Sequence, residues 1–202
     1  MEVTPDTVLD FWFPAQPINP DALTAAVRLW FQPSAEQNQH IRSRFGPAVH
    51  RALAGELDGW TASPEGRLAL ILLLDQFTRC VFRGTPKAFS GDAAALALAS
   101  NGIDQGLDRP LQGLQRQFFY MPFQHSEDIA TQNRSVELFR QLARDAGDDV
   151  RPVLDDAVGY AELHRDIVAR FGRFPHRNLI LGRANTREEN EYLAADAPTF
   201  GQ

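Results

Sequence analysis

The stretch RLALILLLDQFTRCVF, residues 67–82, decides the fold. Its seven apolar residues from Leu68 to Leu74 would suit a buried strand or a buried helix. Leucine dominates the run, Ile71 is its only β-branched member, and apolar character continues to Phe77 and Phe82 at helical intervals, so the spacing predicts a helix. Ser63 is placed to cap it and Pro64 to open it, because proline's missing donor costs nothing in a first turn.

Working outward, the same punctuation recurs. Thr4 with Pro5, and Asn19 with Pro20, announce two short helices, the second stopped by Pro33. Ile41, Phe45, Val49, Leu53 and Leu57 repeat every four residues, one apolar stripe on a helix that Gly46 and Pro47 are expected to split. Ser90 is expected to cap a helix with Asp92 in its first turn, facing exposed amides. Further helices are predicted over 110–121, stopped by Pro122, and over 127–144. Another spans 150–171, ended by Gly172, and a last one starts at Thr186, whose spacing to Glu189 is a capping box. No long alternating run or Asn-Gly hairpin turn occurs. The expectation is a single all-α domain over 1–202, with about eight to ten helices and no sheet.

Composition limits the function classes. The 202 residues carry 44% hydrophobic and 23% charged residues and a net charge of -6. That charge disfavours phosphate backbones, and the basic segment 165–183 is interrupted by apolar residues, so no nucleic-acid partner is expected. No run approaches a membrane span, and the acidic start lacks a basic leader, which points to no membrane partner and a cytoplasmic location. A lone cysteine, Cys80, rules out a disulfide framework and a multi-cysteine metal site. It is read as a buried structural thiol.

Three clusters could carry chemistry. In LDQFTR, Asp75 and Arg79 are four apart and share a helix face. The structural reading is an intrahelical ion pair; the functional one is an Arg79 anion site oriented by Asp75. In FFYMPFQHSED, residues 118–128, Phe118, Phe119 and Tyr120 point in three successive directions, so their helix is flanked on several sides. Ser126, Glu127 and Asp128 read as helix-start chemistry, where the positive helix end pushes a carboxylate pKa down. That leaves His125 unexplained. In ELHRDIVARFGRFPHRN, residues 162–178, His164 faces the core with Tyr160, and Asp166 and Arg170 repeat the ion-pair spacing. His176, Arg177 and Asn178 open a further turn.

These histidines and acids include metal-ligating types, but no His-Glu-x-x-His, phosphate cradle, calcium loop or nucleophile elbow is present, and no metal site is assigned. The cofactor and the oligomeric state stay open.

The ordered set VLDFWF, ILLLDQFTRCVFRGTPKAF, FFYMPFQHSED, SVELF, HRDIVARFGRFPHRNLILGR and EENEYL resembles a bacterial family known as domain of unknown function 924, almost end to end. The resemblance implies a tetratricopeptide-like α/α superhelix and no particular activity. Where the family reads DQFPRN, this chain has Thr78 and Cys80, which makes the thiol a poor bearer of shared chemistry.

Two readings follow. In the first, a binding module offers a pocket or groove to a peptide or small anionic ligand through Arg79, Arg83, His125, His176, Arg177 and Asn178. In the second, an enzyme uses His125 and His164 with Asp75, Glu127 or Asp128 in acid/base or metal-assisted hydrolytic chemistry. A structural or assembly role is a third class, expected to show an exposed apolar patch.

Overall fold

The computed structural model describes residues 2–195, 197, 198 and 200, and among them every regular element is helical. Helix α1 (Pro5–Trp12) starts at Thr4, whose hydroxyl accepts the Thr7 amide. Helix α2 (Pro20–Phe31) starts at Asn19, whose side-chain oxygen accepts the Ala22 amide at 2.8 Å. Helix α3 (Ala35–Leu53) runs unbroken past Gly46 and Pro47. The expected split is therefore wrong. A proline inside a helix costs about 3 kcal/mol, and α3 buries Ile41, Phe45 and Val49 completely along its stripe, so tertiary burial outweighs the local penalty.

The decisive stretch is helical and central. Helix α4 (Pro64–Leu72) is capped by Ser63 and passes through a π turn (Leu73–Phe77) into a short helix α5 (Thr78–Val81). Every residue from Leu68 to Phe77 is buried, because α1, α3, α6 (Asp92–Asp104) and α7 (Gly113–Gln124) pack around this axis. A helix apolar all round belongs in such a place.

Two other boundaries differ from expectation. Gly91, not Ser90, precedes α6; the Ser90 hydroxyl instead donates to the Lys87 carbonyl. A Cβ at Gly91 would lie 2.2 Å from the Leu74 carbonyl oxygen, so only glycine lets the start of α6 approach the central helix this closely. Helix α7 begins at Gly113 and continues through Pro122 to Gln124. Pro122 sits in a fully packed segment in which Phe118, Phe119 and Tyr120 are at most 1% exposed, and burial again holds the helix together.

Helix α8 (Ile129–Arg144) starts at Asp128, which accepts the Thr131 amide at 2.7 Å, and packs against both α7 and α9 (Arg151–Phe171). Gly172 ends α9 with φ of 69°, a left-handed conformation suited to glycine. A turn at Pro175–Arg177 leads towards α10 (Arg187–Ala194), closed by the expected Thr186 and Glu189 capping box. Ile167, Val168 and Phe174 form a small second core beside the main one. On α9, Tyr160 and Leu163 are exposed rather than packed. Asp166 pairs with Arg165, and Arg170 reaches Glu188, so the expected pair four residues apart does not form. No helix among the described residues is long and apolar enough to cross a membrane.

Candidate functional site

The π turn holds a polar pair where the central helix is otherwise apolar. A π turn adds a residue to the helical period and re-aims the side chains it carries. Asp75, with no exposed surface, receives three kinds of donor. His125 Nδ1 lies 2.7 Å from Oδ1, Gln76 Nε2 donates to Oδ2 at 2.5 Å, and Arg79 Nη1 lies 3.5 Å from Oδ1. Burial works to raise the Asp75 pKa. His125, the Arg79 charge and the hydrogen bond from Gln76 outweigh it, and the carboxyl stays below its ordinary range.

Against an ionised Asp75, the His125 Nδ1 must carry the proton and donate it. Burial lowers the His125 pKa below 6.5, with Arg79 adding to the effect and Asp75 opposing it. The imidazole is then neutral at pH 7, and its Nε2 is the acceptor. His125 is not at a helix start, as its neighbours suggested. It ends α7, with its amide bonded to the Met121 carbonyl.

Around this pair lies a charge network built on Asp92. Arg79 grips Asp92 with both terminal nitrogens, at 3.0 and 3.2 Å. Arg177 reaches the same carboxylate at 3.5 Å and donates to the His125 carbonyl at 3.1 Å. The Arg177 guanidinium lies over the Phe89 and Phe174 rings, 4.8 and 4.5 Å from their centroids. Its pKa falls to about 10, by burial first and by the Arg79 charge second. It remains a cation at neutral pH, and its buried Nε has no hydrogen-bond partner among the described residues.

These groups open onto a cleft of about 230 Å3. Trp30 and Phe31, at the end of α2, form one wall; Ala157, Tyr160 and His164, on one face of α9, form another. Gln117, Met121, Gln124 and His125 of α7 lie between them. Arg79, Arg83, His176 and Arg177 contribute the polar end, and Phe200 also lines the space. His164 Nδ1 lies 2.7 Å from the Tyr160 carbonyl, which only an N–H can satisfy, so Nε2 is again the acceptor. Burial, then the His125 charge, holds the His164 pKa well below 6.5. Burial and Arg177 lower that of His176 to about 3. Cys80 lines the cleft too, but burial raises its pKa against the pull of Arg83 and Arg79, so it is a thiol.

The fold therefore gathers Asp75, Arg79, Arg83, His125, His164, His176 and Arg177 from four separate segments. It leaves out Glu127, Asp128 and Asn178. Glu127 does not cap α8: it accepts the Phe174 amide at 2.9 Å and two bonds from Arg183, at 2.6 and 2.9 Å. Asn178 is fully buried, bonding Arg183 and Asn185. Asp128 is the α8 cap. None of the three lines the cleft: Asp128 caps a helix, and Glu127 and Asn178 bond the loop after α9. Among the described residues no three of His, Cys, Asp and Glu come together as a metal site.

Sequence reasoning missed Asp92 as the shared carboxylate, together with Gln117, Gln124, Phe31 and Tyr160 as cleft residues. Asp92 carried only a helix-start signal. Two aromatics at helix surfaces carried none.

The comparisons agree with this architecture. A solved protein of unknown function from Agrobacterium tumefaciens is 41% identical, over 95% of this chain and 97% of that one, with a TM-score of 0.80. No protein among the curated sequences matches the chain. The model of the bacterial proteins of unknown function called DUF924 matches residues 8–197, and the chain belongs to that family.

Proposed function

We propose that the cleft binds a small molecule with an anionic group and an apolar body. The observation that carries this reading is convergence: Arg79, Arg83, His125, His164, His176 and Arg177 meet on one cleft that also has aromatic walls. A concave pocket with an apolar lining and a few convergent polar groups is the usual form of a small-molecule site. The volume of about 230 Å3 suits a compact ligand better than a peptide.

The arginines differ in what they have left to give. Arg79 is held by both Asp75 and Asp92. Arg177 shares Asp92 only at 3.5 Å, keeps an unpaired Nε and is poorly solvated. An incoming carboxylate or phosphate is a better partner for Arg177 than its distant share of Asp92, since charge-assisted bonds are strongest when short and paired. Arg177 is the anchor in this reading.

The test is calorimetric titration with cyclohexanecarboxylate against its uncharged amide. Binding of the acid alone, lost in Arg177→Met, is expected. Equal binding of the amide, or no effect of Arg177→Met on the acid, would overturn the anionic reading.

A second reading is favoured by one bond. The 2.7 Å contact between buried, ionised Asp75 and His125 fixes the tautomer of an imidazole on the cleft, which is the arrangement that prepares a general base. A panel of ester, amide and phosphate-ester substrates checks it. Turnover lost in His125→Gln with ligand binding intact is expected, and turnover indifferent to that change would remove the reading.

A further inference from the structure

Phe31 and Tyr160 are the two large aromatic side chains of the cleft that remain widely exposed, at 43% and 53%. They stand on different elements, Phe31 as the last residue of α2 and Tyr160 in the middle of α9. Their rings are within 13° of parallel, with centroids 6.5 Å apart. Deeper in the same region the aromatics meet edge to face: Trp12 and Trp30 stand at 84° and 66° to Phe118. Edge-to-face contact is how such rings pack with one another. The pair at the rim is different. Carbon atoms in contact sit about 3.5–4.0 Å apart, so a flat ring stacked between two others needs them roughly 7 Å apart.

We propose that Phe31 and Tyr160 are the jaws of a stacking site for a planar aromatic ring, so that the ligand is an aromatic acid. This rests on the anionic-ligand reading above and adds the nature of the apolar body. Both jaws stand on backbone that holds its shape. The Gln32 amide closes α2 on the Arg28 carbonyl directly after Phe31, and the Tyr160 carbonyl is tied to His164. Phe31 also meets the Trp30 ring at 82°, with centroids 6.2 Å apart. Half-exposed aromatic surface facing a cleft gains by being covered, at about 25 cal/mol per Å2 of apolar area.

The spacing along α9 also fits an acid. Tyr160 and His164 are four residues apart, about 6 Å along the helix axis, and the His164 and His125 ring centroids are 6.2 Å apart. A ring held at Tyr160 therefore directs a substituent down the helix towards the imidazoles and, beyond them, towards Arg177, which donates to the His125 carbonyl. An acid group attached to the ring directly or through a short link spans this path.

The experiment compares 2-naphthoate with decahydro-2-naphthoate, the saturated acid on the same carbon skeleton, by isothermal titration of the full chain. The expected result is that wild-type protein binds the aromatic acid at least about tenfold more tightly. Phe31→Ala and Tyr160→Ala should each abolish that preference, and Tyr160→Phe should keep it. Because both side chains are widely exposed, unchanged circular dichroism is expected for all three variants. Equal affinity for the two acids, or a preference that survives both alanine changes, would overturn the stacking site. If Arg177→Met still abolished binding of both acids in that case, the anionic-ligand reading would stand alone. If neither acid bound the wild-type protein, both readings would fall together.

Discussion

Two arginine and carboxylate clusters lie near one another at the end of α9, and they do different things with the same chemistry. In the first, Asp75 and Asp92 pair directly with Arg79, and Asp92 also with Arg177, behind the cleft that both arginines line. In the second, Glu127 holds Arg183 and the Phe174 amide while Glu189 holds Arg173 at 2.6 Å. The second cluster is a clasp. Its donors and acceptors close the loop after α9 onto the α7–α8 junction and α10, and none of these four side chains lines the cleft. The first cluster leaves an imidazole on the cleft and, in Arg177, a cleft-lining guanidinium whose buried Nε has no partner among the described residues. Ion pairs by themselves do not mark a site; polar groups left incompletely paired beside a cavity do.

That contrast can be broken at several points. Asp75→Ala should have the largest effect, a loss of about 3–5 kcal/mol in urea unfolding, because it strands the buried His125 Nδ1 and Gln76 amide without their acceptor and leaves Arg79 to Asp92 alone. A loss below about 1 kcal/mol would mean the network is not coupled to the fold. Gly91→Ala should follow, at about 1–3 kcal/mol, since the new methyl collides with backbone that cannot yield. It should also weaken cyclohexanecarboxylate binding, as Asp92 is the next residue. In the clasp, Glu127→Gln should cost about 1–2 kcal/mol while leaving that affinity unchanged. Altered binding there would erase the distinction between the clusters.

The acid response gives a smaller, graded effect. His125, His164 and His176 all have pKa values below 6.5 in the fold, His176 at about 3. Below pH 6.5 the unfolded chain binds protons that the native state refuses, so stability is full above this pH and declines as pH falls. The slope from each histidine is at most about 1.4 kcal/mol per pH unit. Asp75, with its pKa lowered from 3.8, adds a second loss only below that value. Denaturation midpoints from pH 7 to pH 5 should flatten in His176→Asn, and an unchanged profile would show that the ring is not held neutral. Least of all, Arg187→Ala should leave the midpoint unmoved, because its pair with Glu191 lies in solvent.

The sequence by itself determined the helices and most of their ends. Thr4, Asn19, Ser63 and Thr186 cap as their side chains suggest, because capping is settled within three residues by one hydroxyl or amide oxygen. The leucine run was legible as a buried helix from its leucine content and apolar spacing, and the inward direction of His164 followed from helical spacing. Pro47 and Pro122 show where local rules stop: each should end a helix, and each lies inside one, since the penalty of one lost hydrogen bond is smaller than the burial around it. The site belongs to tertiary structure. Asp75 and His125 are 50 residues apart, Asp92 and Arg177 are 85 apart, and no periodicity relates them. Only the packing of α4, α6, α7 and α9 decides which charges face a cavity, because ion pairing and desolvation depend on distances in space that spacing along the chain does not encode.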